Sequence, residues 1–168
     1  MQLNHYNTQF SEQKFPIIVI CENVNNAPNI GSLFRICDAF GVSKIIFCGE
    51  QLPIPSRKML KTSRSTEKYV SYEQNASIND VLSELKKTHY LIALEITDTS
   101  IPVHELMLEN KKPIALIIGD ENFGVSENTL KSVNNTIHIN MFGKNSSMNV
   151  VQATNIALYE ITKQLSGK

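Results

Sequence analysis

The chain alternates between short unbroken apolar runs and longer stretches in which apolar side chains recur every three to four residues. Residues 15–21 form one such run, and the strand-sized segments 44–48, 90–96 and 113–119 are apolar apart from Lys44 and Glu95. A strand covered on both faces needs no polar alternation, so these runs read as the central strands of a buried sheet. Shorter pieces at 69–72 and 136–139 read as further strands. Helical spacing lies between them. Ile30, Leu33, Phe34, Cys37 and Phe40 make one apolar face over 29–41, with Asn29 expected as N-cap and Gly41 as the stop; Arg35 falls off that stripe. Ser77 opens a second helix to about Lys87, Ser126 a third through Val133, and Ser147 a last one through Leu165. Strands alternating with helices predict an α/β domain with a mostly parallel sheet flanked by helices. Residues 1–15 are polar and without period, an N-terminal extension to a single domain over 16–168, and 97–110 reads as connection.

Composition narrows the class. The 168 residues are 42% hydrophobic and 19% charged, as in an ordinary soluble domain, and no apolar run reaches membrane-spanning length. Cys21, Cys37 and Cys48 are far apart in apolar surroundings, which fits reduced core thiols of a cytoplasmic protein. Four scattered histidines give no metal-ligand spacing, so no metal is expected. Sixteen basic and sixteen acidic residues cancel, which removes the usual charge signature of a nucleic-acid binder. Any such contact must be local. Arg57, Lys58, Lys61, Arg64 and Lys68 gather five of the sixteen basic residues in twelve positions, opposed only by Glu67.

Neither G-x-G-x-x-G nor G-x-x-x-x-G-K-[ST] occurs, so the common nucleotide-binding readings of an α/β chain have no support. Three other constellations follow strands, at the ends where open α/β sheets place ligands. They are Asn29-x-Gly31-x-x-x-Arg35, Gly119-Asp-Glu121-Asn-Phe-Gly124, and the run from Ile139 through Met141, Gly143, Ser147, Met148 and Asn149 to Ala153. Arginine suits a fork over a phosphate or a developing oxyanion, and is a poor general base because the charged guanidinium has no acceptor. Gly143 is expected to turn the backbone with positive φ, and small polar residues ahead of the last helix leave N–H groups free for a ligand. Taken singly, each constellation also reads as an ordinary cap, tight turn or loop.

Together, in this order, they resemble the three motifs of the SpoU/TrmH family of RNA ribose 2′-O-methyltransferases, within the SPOUT superfamily. The third motif there reads roughly I-P-M-x-G-x-x-x-S-L-N-V-S-x-A; here Asn140 stands for the proline, Met148 for the leucine and Val151 for the second serine. The resemblance covers nearly the whole chain. It implies a C-terminal trefoil knot that cradles S-adenosylmethionine, and a homodimer in which the first motif of one subunit meets the donor pocket of the other. It also implies roles. Arg35 is the catalytic arginine, Asn29 organises the site, Glu121 orients loops around the donor, and Ser147 and Asn149 face the substrate ribose. Backbone at Gly119, Ile139 and Met148, together with Ser147 and the strand end Leu94-Glu95, contacts the donor.

The RNA substrate is read from smaller features. Residues 62–70 and the run Cys21-Glu-Asn-Val are similar to the tRNA guanosine-18 enzymes, while the compact length is like that of the wobble-position (34) enzymes. Transfer RNA is favoured over ribosomal RNA, and guanosine 18 over position 34. The basic run 57–68 is the expected RNA contact. A non-catalytic RNA-binding knot protein is the rival from another class. It predicts losses at Asn29, Arg35, Glu121 or Asn149, and all four are present.

Overall fold

A computed structural model describes residues 11–109 and 112–167. Most of the expected extension 1–15 lies outside the described residues. The strands are β1 (Phe15–Glu22), β2 (Val42–Cys48), β3 (Ser71–Asn75), β4 (Tyr90–Leu94), β5 (Ile101–Pro102), β6 (Ile114–Ile118) and β7 (Asn135–His138). The helices are α1 (Ala27–Ala39), α2 (Arg57–Ser63), α3 (Ile78–Leu85), α4 (Glu127–Leu130) and α5 (Val150–Leu165). The seven strands form one sheet in the order β3-β2-β1-β6-β4-β7-β5, and every neighbouring pair is parallel.

The unbroken apolar runs form the middle of this sheet because both of its faces are covered. Along β1, Ile17, Val19 and Cys21 enter one core and Ile20 the other; along β6, Ile114, Leu116 and Ile118 enter the first and Ala115 and Ile117 the second. Leu33, Phe34 and Cys37 of α1 and Leu158 and Ile161 of α5 complete the first core, where Phe34 meets the edge of Tyr72 at 5.4 Å between ring centroids. Val81 and Leu82 of α3 close the second.

Several expectations are corrected. Asn29 is not the cap of α1. Asn26 takes that place, its Oδ1 accepting from Asn29 N at 3.2 Å, and Pro28 sits in the first turn, where a missing N–H costs nothing. The last helix starts at Val150, three residues later than expected, because Asn149 caps it by accepting from Val151 N at 2.9 Å. Gly143 does not take positive φ, and a side chain built there meets nothing within 4 Å. Residues 97–110 hold β5 and a short 3₁₀ turn (Val103–Glu105), and the basic run is helical from Arg57 to Ser63 under a Ser56 cap.

Candidate active site

Three strand ends meet in a cleft at one end of the sheet. It has a volume of about 400 Å³ and opens at the C-terminal ends of β4, β6 and β7, a size that suits a small-molecule ligand. Leu94, Glu95, Gly119, Glu121, Ile139, Ser147 and Met148 all line it. Residues from three separate parts of the chain that were expected to share a ligand therefore share one cleft.

The loop after β6 forms one side, and its shape follows from two glycines. A Cβ on Gly119 would lie 2.1 Å from Gly124 C and 2.4 Å from Val125 N, so the loop folds back onto its own start only because no side chain intervenes. Asp120 Oδ1 accepts from Asn122 N at 2.8 Å and Phe123 N at 3.0 Å, which closes the turn. The two strands flanking β6 then hold the far end. Glu95, just past β4, accepts from Val125 N at 2.8 Å, and the buried Glu22 of β1 accepts from the next amide, Ser126 N, at 3.1 Å. The Glu95 carboxylate, which also accepts from Ile96 N at 3.0 Å, is thus committed to the loop, although it lines the cleft.

A chain of amides joins the three motifs. Asn29 Nδ2 donates to Glu121 Oε1, and Asn149 Nδ2 donates to Asn29 Oδ1 at 3.3 Å. The direction is fixed at both ends. A carboxylate only accepts, so Asn29 must turn its NH₂ to Glu121; at the other end Asn149 must present its oxygen to Val151 N–H. Asn29 is free to do this because Asn26 caps α1 in its place. The end of the chain is the N-terminus of a sixteen-residue helix, which carries partial positive charge.

Arg35 stands apart. It lies six residues beyond Asn29 on α1, about 9 Å along the axis and roughly 120° around it. It is exposed and absent from the cleft lining. Arg57, Lys58, Lys61, Arg64 and Lys68 are exposed too, and none of the ion pairs among the described residues uses them. Their segment is held against α1 at Gly31, whose Cβ would lie 2.2 Å from Met59 O, and by Thr62 Oγ1 donating to Pro28 O at 2.9 Å. Met141, His138 and Phe123 also line the cleft. Phe123 and Met141 lie inside the motifs without a chemical feature that marks them, and the signal for His138 is its place as the last residue of a strand, at the end where such sheets bind ligands. Among the described residues no group of His, Cys, Asp or Glu could hold a metal ion, and no helix is long and apolar enough to cross a membrane.

The SpoU rRNA methylase family profile matches residues 16–159, which includes every element of this cleft. The chain belongs to that family. It is 30% identical over 156 residues to the tRNA (guanosine(18)-2′-O)-methyltransferase of Aquifex aeolicus, covering 90% of this chain and 71% of that one. It is 25% identical over 154 residues to an uncharacterised tRNA/rRNA methyltransferase of Synechocystis, covering 92% of this chain but 40% of that protein. The crystal structure of the A. aeolicus TrmH/SpoU tRNA modifying enzyme superposes with a TM-score of 0.81 at 28% identity, over 93% of this chain and 79% of that one. The chain therefore spans less than half of the Synechocystis relative and most of the Aquifex one.

Proposed function

We propose that this protein transfers the methyl group of S-adenosylmethionine to a ribose 2′-hydroxyl of RNA. Transfer RNA is the favoured substrate, at guanosine 18 before position 34. One observation carries the reading: Asn29 is hydrogen-bonded to both Glu121 and Asn149, so one residue from each motif meets beside the cleft lined by the expected donor contacts. A non-catalytic RNA binder has no need of that convergence. The preference for guanosine 18 draws on residues 62–70 and on the name of the Aquifex relative.

The residues present fit the donor. Gly119 lets the loop close back on its own start and so form the cleft's lining, Leu94, Ile139 and Met148 supply apolar surface, and Glu121 and Asp120 supply negative charge beside a cation. When bound, S-adenosylmethionine supplies an electrophilic methyl group. The chain's part is to hold and orient the acceptor. Glu121 acts through Asn29, whose direction it fixes, and Asn149 joins that amide to the start of α5. Ser147, exposed and part of the cleft lining, meets a ribose hydroxyl in this reading. Arg35 forks over the adjoining phosphate and offsets charge growing on the 2′-oxygen, while the proton leaves to that phosphate or to water.

Arg35 reaches the cleft from a second copy of the chain. Its place off the cleft lining supports this, as do the exposed Ile156 and Tyr159 on α5, which offer partner surface. The strand order supports a trefoil knot. β4 and β5 flank β7 at the level of Ile137, so residues 95–100 cross from one side of that strand to the other, the crossing under which a knotted chain would pass on its way to α5. Calorimetry of the pure chain with S-adenosylmethionine tests the donor. Saturable heat with one site per chain is expected, and none at millimolar donor, with or without tRNA, overturns the reading.

A further inference from the structure

The loop over 139–149 builds one wall of the cleft with little packing of its own: residues 142–147 are all exposed. Its start is tied to the rest of the fold by Ile139, half-buried against the first core, and by one imidazole that holds the residue after it. His138, the last residue of β7, lines the cleft; its Nδ1 lies 2.9 Å from Ser100 Oγ and its Nε2 lies 3.1 Å from Asn140 Oδ1. The Ser100 hydroxyl is itself locked, accepting from Thr97 N at 2.9 Å and donating to Thr97 O at 2.9 Å. A hydroxyl has one proton and two lone pairs, so only a lone pair is left for His138, and Nδ1 carries the proton there. Nε2 then meets the Asn140 amide. A charged ring donates to its oxygen, and a neutral ring accepts from its NH₂ once the amide is turned over, so the bridge forms in either state.

We propose that the Ser100–His138–Asn140 bridge is a positioning device that fixes the first turn of the 139–149 loop, and with it the wall that carries Ile139 and Met148. It rests on the reading of the cleft as an S-adenosylmethionine site. The need for it arises at Asn140. An asparagine leaves φ free where the related motif has a proline, whose ring locks φ near −65°. A side-chain bond from a residue already pinned to the neighbouring turn restores the missing restriction. Among the described residues the Asn140 N–H enters no backbone hydrogen bond, so a proline there would remove no partner found among them.

The test uses the full chain with His138→Ala, Asn140→Ala, Asn140→Pro, and His138→Ala combined with Asn140→Pro. Two readouts are taken: backbone order parameters over 139–149 without ligand, and S-adenosylmethionine affinity by calorimetry. His138→Ala and Asn140→Ala should each drop the loop's order parameters from the rigid range near ~0.85 toward the flexible one below about 0.6. Each should weaken the donor roughly three- to tenfold, the worth of one ordinary hydrogen bond. Asn140→Pro should restore both when added to His138→Ala. A histidine that merely packs at the β5–β7 edge would leave the double variant as loose and as weak as the single one, and that result overturns the proposal. So does a loop whose order His138→Ala leaves unchanged. If the wild type binds no donor, the cleft reading fails, and the order parameters alone decide the bridge.

Discussion

Gly119→Ala perturbs the cleft at the point where its shape is most tightly specified. The added Cβ would lie 2.1, 2.3 and 2.4 Å from Gly124 C, Gly124 O and Val125 N, all backbone atoms that no rotamer change can move. Ordinary carbon contacts need about 3.5–4.0 Å, so the loop has to retreat by more than about 1 Å. Overpacking of this kind costs about 1–3 kcal/mol. The retreat also pulls on the amides of Val125 and Ser126, held by Glu95 at 2.8 Å and by Glu22 at 3.1 Å. Breaking one hydrogen bond to a charged group adds about 1.5–3 kcal/mol. A total near about 3 kcal/mol is expected, which lowers the melting temperature of a domain this size by roughly 6–12 °C. Urea denaturation gives the stability, and calorimetry below the transition gives the S-adenosylmethionine affinity, expected to fall by at least about tenfold. Gly143→Val is the matched control, because its side chain meets nothing within 4 Å; its effect should stay within about 0.5 kcal/mol. Melting of Gly119→Ala within about 2 °C of wild type, or an equal loss in Gly143→Val, would mean that the loop is not held by this close approach.

The shared site is checked by co-expressing Arg35→Ala with Gly119→Ala: the isolated heterodimer should regain about half the wild-type transfer, while an inactive heterodimer contradicts a two-chain site. Neutralising Lys58, Lys61 and Arg64 to glutamine should flatten the plot of log tRNA affinity against log salt by about 0.7–0.9 for each RNA phosphate that then keeps its counterion; an unchanged slope marks that face as merely solvated. Burial pushes the thiols of Cys21 and Cys37 well up, and burial with the Glu22 carboxylate pushes Cys48 up to about 12. All three should resist iodoacetamide at pH 8.5 until urea unfolds the chain. Because the folded thiols keep protons that the unfolded chain releases near about pH 8.5, their stabilising contribution is complete below that value and is lost as pH rises. Prompt labelling of the native protein, or a urea midpoint unchanged from pH 8 to 10, goes against this.

The central strands are legible in the sequence because burial on both faces leaves an unbroken apolar run, as in β1 and β6. The cap of α3 is legible because Ser77 stands directly before its apolar stripe, with Asp80 three residues on. Asn29 is easily mistaken for a cap because three asparagines, Asn25, Asn26 and Asn29, stand within five positions; Pro28, which belongs in a first turn, is the signal for Asn26. The distinction matters for function, since an asparagine released from capping is one that can reach Glu121. β5 is invisible to periodicity because two residues carry no period. Gly143 suggests a strained turn by residue type alone, and the backbone there never enters the left-handed region. The cleft's contents are visible as motifs, but the side-chain partners of Glu95, Glu22 and His138 come from strands and turns far apart in sequence, a relation that local pattern does not carry.

Where a methyl group goes decides between the proposed activity and its rivals. The purified full chain should be incubated with S-adenosylmethionine labelled in its methyl group and with unmodified tRNA and ribosomal RNA transcripts. The labelled RNA is then digested and its modified nucleotides identified and positioned. Label is expected on a ribose 2′-oxygen of tRNA, at guanosine 18, and none when Arg35→Ala replaces the wild type. Label on a base, label confined to ribosomal RNA, or no transfer by a chain that binds both donor and tRNA would contradict the proposed reaction.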